Sequence, residues 1–189
     1  MSHILFDGHT DKIVEYRETI AAKGPSPSTG AKSTDYVHIQ ANPAQVIYDG
    51  RHPKCPPFET VAPPVTIFHP VFDAFLSRRH TAQPSKEDLI KTQELMHIAS
   101  EIHVNEKSYA SELRDKLSSI IGISLSKEEN PDGTSPDGLY AVVLEYKRIS
   151  ILILEFKRKY GEGGSDASTQ AGLSMKRSWI QKDVSLLRS

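Results

Sequence analysis

The sequence has little of what marks secreted and membrane proteins. It contains one cysteine, Cys55, among 189 residues, which excludes an intramolecular disulfide framework. Its first seven residues lack a charged segment followed by an apolar one, so they do not resemble a signal peptide. The longest aliphatic run, residues 149–154, is interrupted by Ser150 and is too short to cross a bilayer. We therefore expect an intracellular protein, cytoplasmic or nuclear, with no membrane partner.

Net charge is also nearly absent. The chain has 23 Lys and Arg against 24 Asp and Glu, a formal charge of −1, so it lacks the overall basic character of many nucleic-acid-binding proteins. With 38% hydrophobic and 25% charged residues, the composition is that of a globular protein. The length suits one domain with an extension, and is too short for a protein kinase joined to a second domain.

Proline divides the chain, because ten of the 12 prolines lie at or before Pro84. This distribution predicts an N-terminal extension over 1–84 and a folded core over 85–189. In the extension we expect a helix over 10–23, a Gly/Pro/Ser linker over 24–34, short strands at 45–48 and 65–68, and a helix starting at Pro70.

The core predicts an α/β or borderline α+β fold. Ser85 can cap a helix, and apolar residues at helical spacing continue to Gly122, so 85–121 forms one long helix or two abutting ones. We expect a strand at 123–126 and a hairpin of strands 139–146 and 151–157 around a turn at 147–150. The second strand is apolar on both faces, which is typical of an interior strand covered by helices. Asp166 can cap a last helix that runs through Trp179.

The sequence Pro136-Asp137, followed by Glu155-Phe156-Lys157, has the residue types of a metal-dependent hydrolase. On a strand, Glu155 and Lys157 would share one face, and Asp137 could approach them from the neighbouring strand. Two carboxylates suit Mg²⁺, and a lysine can orient a water molecule and offset charge on a phosphate. Alternatively, Glu-x-Lys is a common solvated strand pattern, and it also occurs ten residues earlier. However, Glu155 ends an aliphatic run, where a charge is costly unless it has a partner.

With these residues, the stretch 87–183 resembles the PD-(D/E)xK nuclease superfamily. It is most similar to nuclease-like modules of fungal proteins that often precede a kinase-like domain. The resemblance implies a restriction-endonuclease-like sheet flanked by helices and Mg²⁺-dependent cleavage of nucleic acid. It also implies that Asp137 and Glu155 bind the metal, that Lys157 positions the water, and that Gln170 and Glu106 support the site.

The sequence departs from that pattern in two places. Ser174 and Met175 stand where some members have a tyrosine, and the chain ends without a fourth core strand. We therefore expect a truncated product, a fragment, or replacement of that strand by 45–48. A second hypothesis follows, in which the chain is a catalytically inactive interaction or regulatory module of a fungal kinase-like protein. The hairpin register stays open: a tight turn at 148–149 would leave Asp137 beyond Glu155, whereas a bulge or wider turn would align them.

Charge is unevenly distributed along the chain. Residues 147–189 contain nine basic and four acidic side chains, a net charge of +5, whereas the rest carries −6. The basic region surrounds the motif and could bind the phosphates of DNA or RNA, although ordinary surface charge explains it equally well. Trp179 could stack on a base, but we expect it in the core of the last helix.

Overall fold

The computed structural model describes residues 24–42, 45–47, 64–144, 147–159 and 162–180. In this part, six α-helices accompany one two-stranded antiparallel sheet, which is consistent with an α/β or α+β protein. None of the described helices is long and apolar enough to cross a membrane. The elements are α1 (Pro27–Gly30), α2 (Ser33–Ala41), α3 (Pro70–Arg78), α4 (Lys86–Ser100), α5 (Glu106–Ile121), β1 (Gly138–Leu144), β2 (Lys147–Leu154) and α6 (Ala167–Trp179), with 3₁₀ turns at Val65–Ile67 and Glu162–Gly164.

The hairpin differs from the predicted one at both ends of its second strand. Residues 147–150, expected to form the turn, are the first half of β2, and the strand ends at Leu154 rather than Lys157. β1 pairs with β2 from Leu144↔Lys147 to Gly138↔Leu154, and a bulge leaves Ile151 without a partner. Within the described residues β2 pairs with β1 alone, so the interior strand that we expected is not found there.

Helix α6 packs across one face of β2. Asp166 caps this helix, as predicted, because its Oδ1 accepts the backbone N–H of Thr169 at 2.8 Å. At the other end of the helix, the Ser178 hydroxyl bonds the Ser150 hydroxyl at 2.8 Å, and the Trp179 indole N–H donates to the Ser150 carbonyl at 2.8 Å. The prediction that Trp179 is a core residue is wrong, since this side chain is half-exposed.

Two separate helices, α4 and α5, occupy the region in which we expected one long helix or two. Ser85 and Asp88 form a capping box at the start of α4, and Gly122 ends α5 with a left-handed backbone, φ 75°. The prediction that 123–126 forms a strand is wrong, because only a single bridge joins Ser126 to Leu139. Few apolar side chains are buried, and they are distributed over the N-terminal helices, α5, the segment after it, the hairpin and the end of α6: Ala31, Tyr36, Ile39, Tyr109, Ala110, Leu113, Leu125, Leu139, Ile153 and Ile180.

The N-terminal extension is more structured than its composition predicted. Helices α1 and α2 replace the expected linker over 24–34, and a Cβ added at Gly30 would lie 2.9 Å from Ile39 Cδ1 and 3.1 Å from Leu173 Cδ1. This close approach packs α1 against α6. The expected strand at 65–68 is a 3₁₀ turn, whereas the helix from Pro70 is confirmed. Residues 45–47 form no strand, and residue 48 and the helix expected over 10–23 lie outside the described residues.

Candidate functional site

Asp137 lies directly before β1, level with the residue that follows β2. Because Gly138 pairs with Leu154 beyond the bulge, Asp137 comes opposite Glu155. The Asp137 Oδ2 atom accepts the backbone N–H of Phe156 at 2.9 Å, and the Asp137 carbonyl accepts Arg114 Nη1 at 2.7 Å. Pairing that starts at Leu144 and Lys147, rather than around a turn at 148–149, makes most of this alignment, and the bulge adds the last residue. Both the side chain and the backbone of Asp137 are held in place.

Two polar residues of α6 donate hydrogen bonds to the carboxylate of Glu155. Gln170 Nε2 donates to Glu155 Oε2 at 2.7 Å, and the Ser174 hydroxyl donates to Glu155 Oε1 at 2.6 Å. Residues four apart lie on the same face of a helix, so Gln170 and Ser174 form one pair of donors aimed at the carboxylate. The Ser165 hydroxyl lies 3.5 Å from the Gln170 amide oxygen and completes this buried polar row.

The electrostatics of the site disfavour a negative charge on Glu155. Burial is the largest cause of the raised pKa of Glu155, which is about 7; the neighbouring carboxylate of Asp137 adds to the rise, while the Ser174 hydrogen bond and the charges of Lys157 and Lys127 oppose it. Burial of a carboxyl group disfavours its charged form. At Glu155 this cost outweighs the hydrogen bond and the two lysine charges that favour ionisation.

Two lysines lie close to the carboxylates. Lys127 Nζ is 3.9 Å from Asp137 Oδ1, and Lys157, which follows Phe156 beyond the end of β2, is half-buried. Phe156 turns the other way, with its ring 6.5 Å from that of Tyr109 on α5. The alternation predicted for residues 155–157 thus places Glu155 toward α6 and Phe156 toward α5, although these residues are not strand.

Glu106 is not brought to this cluster. It is the first residue of α5, where a carboxylate is favourable next to the helix N-terminus, and it is exposed. No hydrogen bond or ion pair joins it to another described residue, and its charge is not among those that shift the Glu155 pKa. A supporting role for Glu106 stays a prediction.

Sequence reasoning missed Ser174 and Lys127. We noted Ser174 only because some members of the superfamily have a tyrosine there. Its position four residues after Gln170 on a predicted helix was a usable signal. Lys127 follows the bridge between Ser126 and Leu139, a long-range contact that no local pattern indicates.

The donor set fits a hard divalent cation. Mg²⁺ binds through one or two carboxylates and retains several water molecules, and Asp137 and Glu155 offer two half-buried carboxylates side by side. Comparisons of the chain with protein-family models, with curated proteins and with solved structures find no match. Any statement of function therefore rests on the geometry of Asp137, Glu155 and their partners.

Proposed function

We propose that the chain is a Mg²⁺-dependent nuclease of the PD-(D/E)xK type with a restriction-endonuclease-like fold, which hydrolyses phosphodiesters of nucleic acid. The single observation that carries the proposal is the juxtaposition of Asp137 and Glu155, with burial raising the Glu155 pKa to about 7. Strongly shifted pKa values at a polar cluster are typical of functional sites.

Asp137 and Glu155 would hold the metal. When bound, Mg²⁺ polarises the phosphoryl group and favours ionisation of the attacking water. Asp137 Oδ2 is engaged by the Phe156 N–H, so the metal would bind Oδ1, which now faces Lys127 at 3.9 Å. Gln170 and Ser174 bind one oxygen each of Glu155, and they keep this carboxylate in one orientation.

Lys157 would act on the substrate. Its charge already favours ionisation of Glu155, so the ammonium lies within electrostatic range of the carboxylates. In that position it can orient the attacking water molecule and offset the negative charge that develops on the phosphate as the P–O bond to the leaving oxygen breaks. Gln170 positions Glu155 rather than contacting the substrate.

The surface around the site supports nucleic acid as the substrate class. The net charge of +5 over residues 147–189 would attract phosphates, and the half-exposed Trp179 offers a ring face to an unpaired base. Trp179 is the last residue of α6, the helix that also carries Gln170 and Ser174.

A cleavage assay tests the proposal. The full chain would be incubated with plasmid DNA, single-stranded DNA and RNA, with Mg²⁺, with Mn²⁺ or with EDTA. We expect metal-dependent cleavage that Glu155→Gln and Lys157→Met both abolish. The matched substitutions Glu129→Gln and Lys86→Met, at exposed positions outside the site, should cleave like the parent. Absence of metal-dependent cleavage, or equal cleavage by all variants, would refute the proposal.

One observation favours the second candidate, a catalytically inactive module that works by interaction, for example next to a kinase-like domain of a fungal protein. Both oxygens of Glu155 accept hydrogen bonds from α6, which stabilises the site without any metal. This candidate predicts that Mg²⁺ leaves the melting temperature of the parent unchanged. The nuclease proposal predicts a rise that Glu155→Gln abolishes.

A further inference from the structure

A second cluster of metal-ligating side chains lies at the junction of α4 and α5. Glu101, His103 and Glu112 each bring one ligand atom within 4.8 Å of the other two. Glu101 is the C-cap of α4, His103 lies in the connection, and Glu112 is in the second turn of α5. The cluster therefore joins three consecutive parts of the chain at one point, and it shares no residue with the proposed nuclease site.

His103 is held in the way that metal-binding histidines are held. Its side chain is only 5% exposed, and its Nε2 lies 2.9 Å from the carbonyl oxygen of Ile98. A carbonyl oxygen can only accept, so Nε2 carries the hydrogen of this bond. A ring N–H bonded to a backbone carbonyl leaves the other nitrogen of a neutral imidazole as a lone pair, and this arrangement orients histidine ligands.

The other ring nitrogen faces the carboxylates. His103 Nδ1 lies 3.5 Å from Glu112 Oε1, and a carboxylate of Glu101 completes the cluster. With His103 neutral, the Nδ1 lone pair and the two carboxylates can together bind one cation. Two carboxylates and a neutral imidazole carry a charge of −2, which one divalent ion neutralises.

We propose that this cluster binds a divalent transition metal of the Zn²⁺ class through His103 Nδ1 and the carboxylates of Glu101 and Glu112. The imidazole nitrogen favours Zn²⁺ over Mg²⁺, which prefers oxygen ligands throughout. His97 Nε2 lies 3.0 Å from Glu101 Oε1, so His97 is either displaced from this carboxylate or becomes a fourth ligand. The bound ion ties the end of α4 to α5.

The site is distinct from the Asp137–Glu155 pair, yet it is structurally connected to it. The ring of Tyr109 contacts His103 at 5.0 Å between centroids, and on the same helix it contacts Phe156 at 6.5 Å. Because the two sites share no residue, substitutions in them can be interpreted separately as long as Tyr109 is left unchanged.

Metal titration of the full chain tests this inference. Protein stripped with EDTA and dialysed would be titrated with Zn²⁺ by calorimetry and with Co²⁺ by visible absorption. We expect one equivalent bound at this cluster, with affinity reduced about 10-fold or more in His103→Ala and in Glu112→Gln. Glu129→Gln, at an exposed carboxylate outside both sites, and His38→Ala, at an exposed histidine of α2, should bind like the parent.

Glu112→Gln keeps the test decisive if His103→Ala fails to fold, because Glu112 is exposed and its amide replacement preserves the shape of the side chain. Unchanged Zn²⁺ affinity in Glu112→Gln would overturn the inference. So would loss of binding in Glu155→Gln alone, or nitrogen chemical shifts showing both ring nitrogens of His103 protonated in metal-free protein at pH 8.

Discussion

Replacing Glu155 by glutamine should stabilise the protein at alkaline pH while it removes the proposed metal site. Glutamine is neutral at every pH and has the same shape. It can accept the Gln170 N–H with its oxygen and donate its own N–H to the Ser174 hydroxyl, which can accept as well as donate. The substitution therefore removes the charge of the buried carboxylate and preserves its contacts.

The direction of this change in stability follows from the number of protons that the folded and unfolded states bind. Burial raises the pKa of Glu155 from 4.5 to about 7, so between these values the folded protein keeps a proton that the unfolded chain loses. The unfolded state then binds fewer protons, and the free energy of unfolding decreases as pH rises through this window. At about 1.4 kcal/mol per pH unit the ceiling is ~3 kcal/mol, and partial solvent access at the site lowers our expectation to ~1–3 kcal/mol.

Urea denaturation from pH 4.5 to pH 8, with EDTA present, measures the effect. We expect the two proteins to be about equally stable at pH 4.5, and the variant to be more stable by ~1–3 kcal/mol at pH 8. Glu129→Gln, at an exposed carboxylate, should give a difference that does not change with pH. A difference between Glu155→Gln and the parent that is constant from pH 4.5 to pH 8 would refute the electrostatic account of the site.

Three further substitutions test other parts of the structure. Gly122→Ala should cost about 1 kcal/mol in urea denaturation, because φ is 75° at this helix end, and an unchanged midpoint would contradict the left-handed cap. Asp132→Ala should lower the free energy of unfolding by about 1–2 kcal/mol, because it removes the ion pair of this carboxylate with the buried Arg177 and the hydrogen bonds that it accepts from Thr134, and an unchanged free energy would argue against these contacts. Burial lowers the pKa of Lys176, which donates to the Gln45 carbonyl, to about 8, so between pH 8 and 10.5 the unfolded chain binds more protons. From pH 8 to 10.5 the parent should gain stability relative to Lys176→Met. A difference in free energy of unfolding that stays constant over this range would contradict the lowered pKa.

The ends of several helices could be predicted because their chemistry is local. Ser85, Gly122 and Asp166 act through hydrogen bonds or backbone angles within a few residues of themselves, so the sequence pattern alone contains the information. The candidate site was predictable in part for a similar reason. Asp137, Glu155 and Gln170 each follow a recognisable element boundary or lie on a recognisable helix.

The N-terminal helices could not be predicted because their stability depends on distant residues. Gly24 to Thr34 has the composition of a linker, and a four-residue helix has no stability of its own. Its stability comes from packing, since Gly30 lies close to Leu173 on α6 and Lys32 bridges to Ser165. Pro27 is compatible with this helix because proline is tolerated in the first turn.

The bulge in β2 explains why residues on both sides of it contact the same helix, α6. Ser150 and Glu155 are five residues apart, and in a regular strand an odd separation places side chains on opposite faces. Both nevertheless contact α6, Ser150 through Ser178 and Glu155 through Ser174. The unpaired Ile151, 51% exposed, is the extra residue that reverses the alternation, so the same bulge turns Glu155 toward its donors and brings Asp137 opposite it. A motif search based on strand alternation finds the residues but cannot align them, because the alignment depends on where the strands start to pair, at Leu144 and Lys147, and on this one extra residue.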